Sequence, residues 1–127
     1  MTVVSKTKTK ALLFRSNCIY VDAIDLEDFG HMQELLGGDC VAIEFPKDIL
    51  LWCANQWDRA AIEHTLTIVK NGRKVEWYGN LLFTSNDSDC PSGISSLTDE
   101  QTKWLSQNFN MSISPLHGNH VFEFCID

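Results

Sequence analysis

The chain has 127 residues with 17 acids against 10 bases, and a net charge of −7 that disfavours general binding to nucleic-acid backbones. Hydrophobic residues make up 44%, with four Trp and seven Phe, enough for the core of one domain and too few residues for two. The longest apolar runs, such as Ile49–Ala54, are far too short to span a bilayer.

Residues 1–8 alternate Ser, Thr and Lys with nothing to bury, and are expected to form a flexible leader ahead of a single α+β domain over 9–127. The lysines have no apolar stretch and cleavage site behind them, so a cytoplasmic location is expected. "TKALLFRS" and "CIYVDAI" read as two strands around a turn at Ser16-Asn17. Asp25 is the expected N-cap of a helix over Leu26–Leu36, with an apolar stripe through Leu26, Phe29, Met32 or Gln33, and Leu36. Gly37 suits the left-handed C-cap, and Gly38 frees the chain to reverse into the alternating strand Cys40–Phe45. Pro46-Lys47-Asp48 is a turn, and Ile49–Ala54 reads as a central strand.

Residues 55–63 suggest a short helix or loop. "LTIVKNGRKVEWY" then places Asn71-Gly72 between alternating runs, the signal for a two-residue type I′ hairpin. Its register sets Ile68 opposite Val75 and Leu66 opposite Trp77. "NLLFTS" is a further strand, and Asn86–Ser96 a polar loop. Thr98 caps a second helix reaching Phe109, with Gln101 at the capping-box position. A last strand is expected at His120–Cys125. The fold class expected is α+β, a mostly antiparallel sheet of about five to seven strands with two main helices packed on one face.

"MQELLGG" with its following strand, "LLWCANQ", "NGRKVEWYGNLLFTS" and "SSLTDEQTKWL" together resemble an uncharacterised small domain of bacteriophages, plasmids and conjugative elements. The likeness runs from Lys8 to Phe109. Two departures stand out: Val69-Lys-Asn-Gly-Arg73 replaces a proline-containing "LPxNR"-like segment, and residues 110–127 continue past the shared pattern. The resemblance brings no catalytic residues with it. It implies an accessory protein, cytoplasmic in a bacterial host, that counters host defence by binding a host protein.

Charge is unevenly spread. Residues 16–58 carry nine acids against Lys47 alone. Asp22, Asp25, Glu27, Asp28 and Glu34 are the expected acidic face, suited to steering a basic partner surface into contact. The plainer alternative is a solvated surface that aids solubility. Lys70, Arg73 and Lys74 gather at the hairpin tip with Trp77 and Tyr78 behind them, a candidate grip for a signalling nucleotide by phosphate pairing and ring stacking. Against it stands a polar turn with Trp77 in the core. An immunity protein that neutralises a toxin would be equally small and acidic.

Catalysis lacks a recognisable nucleophile, base and orienting group, so the protein is expected not to be an enzyme. His117, His120 and Cys125 offer no third ligand by spacing, and neither a metal nor another cofactor is expected. Five cysteines without a CxxC pair read as free thiols, with Cys90 the one expected to be exposed. A homo-oligomer is left open.

Overall fold

The computed structural model describes residues 9–15, 21–55, 64–86, 94–113 and 120–126. β1 (Thr9–Phe14) pairs antiparallel with β2 (Val21–Leu26), and α1 (Phe29–Leu36) follows. β3 (Cys40–Phe45) and β4 (Ile49–Ala54) form one hairpin, β5 (His64–Lys70) and β6 (Arg73–Tyr78) another. β7 (Leu81–Ser85) returns between β1 and β4. α2 (Asp99–Asn108) runs directly into β8 (Phe109–Ile113), and β9 (His120–Ile126) lies between β8 and β5. Two sheets result, a five-stranded one ordered β2-β1-β7-β4-β3 and a four-stranded one ordered β6-β5-β9-β8.

The α+β class and the antiparallel pairing agree with the sequence, while the layering differs. A strand apolar on both faces needs cover on both. In β4, Ile49, Leu51 and Cys53 enter one buried cluster, and Leu50 and Trp52 enter another. β1 and β7 divide the same way, with Phe14, Leu81 and Phe83 on one side and Ala11, Leu13 and Leu82 on the other. α1 covers the second face through Met32 and Leu36. The first face packs against Leu66, Phe122 and Phe124 of the other sheet and Leu105 of α2. The helices therefore sit on opposite faces of the five-stranded sheet, not on one. The pairing of β5 with β9 is parallel, because β9 reaches β5 through α2 and β8 rather than through a hairpin.

Aromatic rings fill the space between the sheets. Phe14 meets Phe83 at 5.0 Å, Phe109 at 5.4 Å and Phe122 at 4.7 Å, all edge to face. Phe45 meets Phe124 at 5.3 Å and Trp104 at 6.1 Å in the same manner. Such contacts add to the plain burial of area.

Element ends follow local chemistry. Asp28, not Asp25, is the N-cap of α1: its backbone is extended and its Oδ1 accepts from the His31 N–H at 2.8 Å. Leu26 instead ends β2, because its side chain, 2% exposed, is needed beneath α1. Gly37 closes α1 at φ 91°, and the Gly37 and Gly38 N–H groups both donate to the Gln33 carbonyl. Thr98 and Gln101 make the expected capping box. α2 stops one residue short of Phe109, where the backbone turns extended and begins β8, whose Phe109, Met111 and Ile113 alternate with Asn110 and Ser112. The hairpin at Asn71-Gly72 has the expected register, Ile68 opposite Val75 and Leu66 opposite Trp77. The leader 1–8, the turn at Ser16-Asn17, residues 56–63 and most of the loop 86–96 lie outside the described residues.

Candidate functional site

Strand alternation decides where the expected acidic face points. On β2, Ile24 and Leu26 pack on the α1 side, so Asp22 points that way and Asp25 points to the opposite face. Asp25 indeed lines a pocket of about 370 Å³ with Lys10, Leu12, Leu97 and Asp99, away from α1. Asp22 is matched by Arg15, whose Nε lies 2.7 Å from its Oδ2. Both side chains are more than two-fifths exposed, so the pair adds well under about 1 kcal/mol to stability but cancels one charge.

Glu27, Asp28 and Glu34 are exposed on or beside α1, and the exposed Asp39 and Glu44 join them. Glu44 belongs to the α1 side because it shares the face of Cys40, which packs against the α1 cluster. The strand's alternation carried that signal, yet sequence reasoning did not use it. Asp28 is partly committed to capping, and the neighbouring Glu27 N–H donates to His31 Nδ1 at 3.2 Å. His31 thus helps lock the start of α1.

Phe29, expected in the buried stripe of α1, is 40% exposed among these acids. Its ring meets Trp52 edge to face at 5.9 Å. Trp52 is itself fixed, its indole N–H donating to Thr84 Oγ1 at 2.9 Å inside the sheet. The α1 side therefore offers a firmly seated, part-exposed aromatic ring next to Glu27 and Asp28, with the exposed Glu34, Asp39 and Glu44 further along.

At the hairpin tip Lys70 lies directly opposite Arg73, beside a turn with Asn71 at φ 53° and Gly72 at φ 78°. Both bases are exposed and neither has an ion pair among the described residues. Alternation puts Lys74 on the other face of the hairpin. Trp77 packs toward the core between the sheets, and its indole N–H is buried without an acceptor. Tyr78 stays with Glu76, to which its hydroxyl donates at 3.4 Å. The five residues thus divide between two faces, with Lys70, Arg73 and Trp77 on one.

A feature that the sequence did not announce is an open groove of about 590 Å³ between the Pro46–Asp48 turn and α2, lined by Lys47, Asp48, Gln101, Lys103 and Trp104. Gln101 holds its floor: Nε2 donates to the Lys47 and Asp48 carbonyls at 2.9 and 3.0 Å, and Oε1 accepts from the Thr98 N–H.

The thiols are quiet. Burial, reinforced by Asp39, pushes the Cys40 thiol above its ordinary pKa, and burial followed by Cys40 does the same for Cys53. Cys125 is exposed, while Cys90 lies outside the described residues. Among the described residues no group of three side chains could hold a metal ion. None of the described helices is long and apolar enough to cross a membrane.

Fold and surface together define a class, a two-sheet α+β protein with a carboxylate-rich helix face and a basic hairpin. Compared with protein-family models, curated proteins and solved structures, the chain matches none.

Proposed function

We propose that this chain is a non-enzymatic binding protein that counters host defence by stoichiometric attachment to a host protein, docking through its α1 face. Phe29 carries the proposal: a large ring, 40% exposed, backed by a hydrogen-bonded tryptophan and flanked by Glu27 and Asp28. Protein interfaces concentrate binding energy in such aromatic anchors, and rim charges speed the encounter. Glu27, Glu34, Asp39 and Glu44 supply the rim, and the partner would present basic residues around an apolar socket. Asp25 takes no part, since it faces away. The mobile-element origin of the proposal rests on the sequence resemblance alone.

The test is affinity capture from bacterial host lysate with the native protein, Phe29→Ala and Glu27→Lys/Glu34→Lys. A partner retained at equal stoichiometry by the native protein should bind about thirtyfold more weakly to Phe29→Ala, the effect of losing one aromatic anchor. The charge reversal should slow association and remove its salt dependence. Undiminished capture by both variants would exclude the α1 face.

A further inference from the structure

Strand β3 ends the five-stranded sheet. It pairs with β4 on one side and with no described strand on the other, over six consecutive residues. The other edge of the same sheet, β2, carries carboxylates on both faces at Asp22 and Asp25, a device that discourages edge pairing. β6, an edge of the second sheet, has Arg73 and Lys74 exposed. β3 has no such protection. It contains no Pro, no Lys and no register shift, its one charge is Glu44, and Val41 is 38% exposed beside the exposed Ala42.

We propose that β3 is a homodimer interface, in which two copies pair antiparallel about a two-fold axis at Ala42 and join their five-stranded sheets into one. A two-fold that reverses one edge strand against its copy must run perpendicular to the sheet, so each face meets the same face of the partner. The axis then passes through a residue, and the choice lies among Val41, Ala42 and Ile43. An axis at Ile43 sets the two Glu44 side chains two positions apart, about 7 Å along the strands, where like charges repel. An axis at Val41 pairs only residues 40–42 and leaves Ile43, Glu44 and Phe45 all beyond the paired segment. With Ala42 on the axis, Val41 lies opposite Ile43 of the partner subunit on the inner face, twice over. Ala42 meets Ala42 of the partner subunit on the outer face without crowding, and the Glu44 pair separates to about 13 Å. The occupant that fits this edge is the same edge, reversed.

Each chain carries a charge of −7, so association works against mutual repulsion and tightens as salt screens it. The probe is sedimentation velocity of the full chain from about 5 to about 500 μM, a range that brackets weak strand-to-strand contacts. A monomer–dimer equilibrium is expected that strengthens on raising salt from about 50 to about 500 mM. Val41→Lys, at an exposed site, should weaken the dimer about tenfold or more while leaving the thermal melting of the monomer unchanged. Ala42→Cys should form an intersubunit disulfide between the two introduced thiols under mild oxidation, located by peptide mapping, whereas Glu44→Cys should not. A monomer throughout the range, a dimer that salt weakens, a dimer indifferent to Val41→Lys, or cross-linking through position 44 in preference to 42 would each overturn the proposal.

Discussion

Gln101 does three jobs with one amide. Its oxygen accepts from Thr98, and its nitrogen donates to two carbonyls of a turn more than fifty residues away in sequence. That turn holds Lys47 at φ 64° and Asp48 at φ 57°, a left-handed conformation that costs a non-glycine residue about 1–2 kcal/mol each. Gln101, 8% exposed, binds the strained turn to the helix. Replacing it by Ala should destabilise the fold by about 1–2 kcal/mol, the cost of losing a cap and two hydrogen bonds to a turn whose residues are exposed, and urea unfolding measures it directly. Gln101→Glu keeps the capping acceptor but loses both donors, and should recover less than half of that loss. The capping role was legible from the spacing Thr98-x-x-Gln101, a wholly local signal. The reach to Lys47 and Asp48 was not, because nothing in the sequence places that turn beside α2. Asp28 and Phe29 teach the same lesson at the other helix. Several aspartates precede α1, and only the need to bury Leu26 in the sheet decides which one caps it.

At the scale of elements, local chemistry was read well and pairing partners poorly. The Asn71-Gly72 hairpin has the register its turn type dictates, and the break at Gly37-Gly38 works as a glycine pair should. Neither glycine has an atom within 4 Å of the position a Cβ would take, so substitution costs only backbone conformation. Gly37→Ala at φ 91° and Gly38→Ala at φ 149° should each destabilise by about 1–2 kcal/mol, with no change in the core. Thermal melts of the two single variants and the double variant would show it, and near-additivity is not expected between adjacent residues of one turn. β8 was not assigned as a strand, although Phe109, Met111 and Ile113 alternate with Asn110 and Ser112, because the expected helix was carried on to Phe109 and so took the first residue of that pattern. It exists through its ladder with β9 and through Phe109, which packs on Phe14.

For the whole molecule, the number of layers was the hidden quantity. The continuous apolar runs of β4 and β7 mark strands buried on both faces, and they leave open whether a helix or a second sheet lies over each face. The aromatic cluster decides the matter, since Phe14 and Phe83 meet rings from β8 and β9 rather than from a helix stripe. Phe14→Ala should cost about 3–5 kcal/mol, a large part of the roughly 5–15 kcal/mol that holds a domain of this kind. Calorimetry should show the loss as a single lowered transition if the two sheets unfold together. The concentration of acids was legible in composition, whereas sheet sidedness, which puts Asp25 on the face away from α1 and Glu44 on the α1 side, was not.

The parallel ladder between β5 and β9 has a consequence for biosynthesis. Residues 66–70 find their partners only at 122–126, so the four-stranded sheet cannot close while the ribosome is still translating the segment between them. The β5–β6 hairpin must wait with Leu66 and Ile68 uncovered, and contacts this distant in sequence form slowly even in a complete chain. Nascent protein is thus exposed to aggregation from the completion of this hairpin until residues 122–126 are made, and a chaperone that holds apolar hairpins would raise its yield.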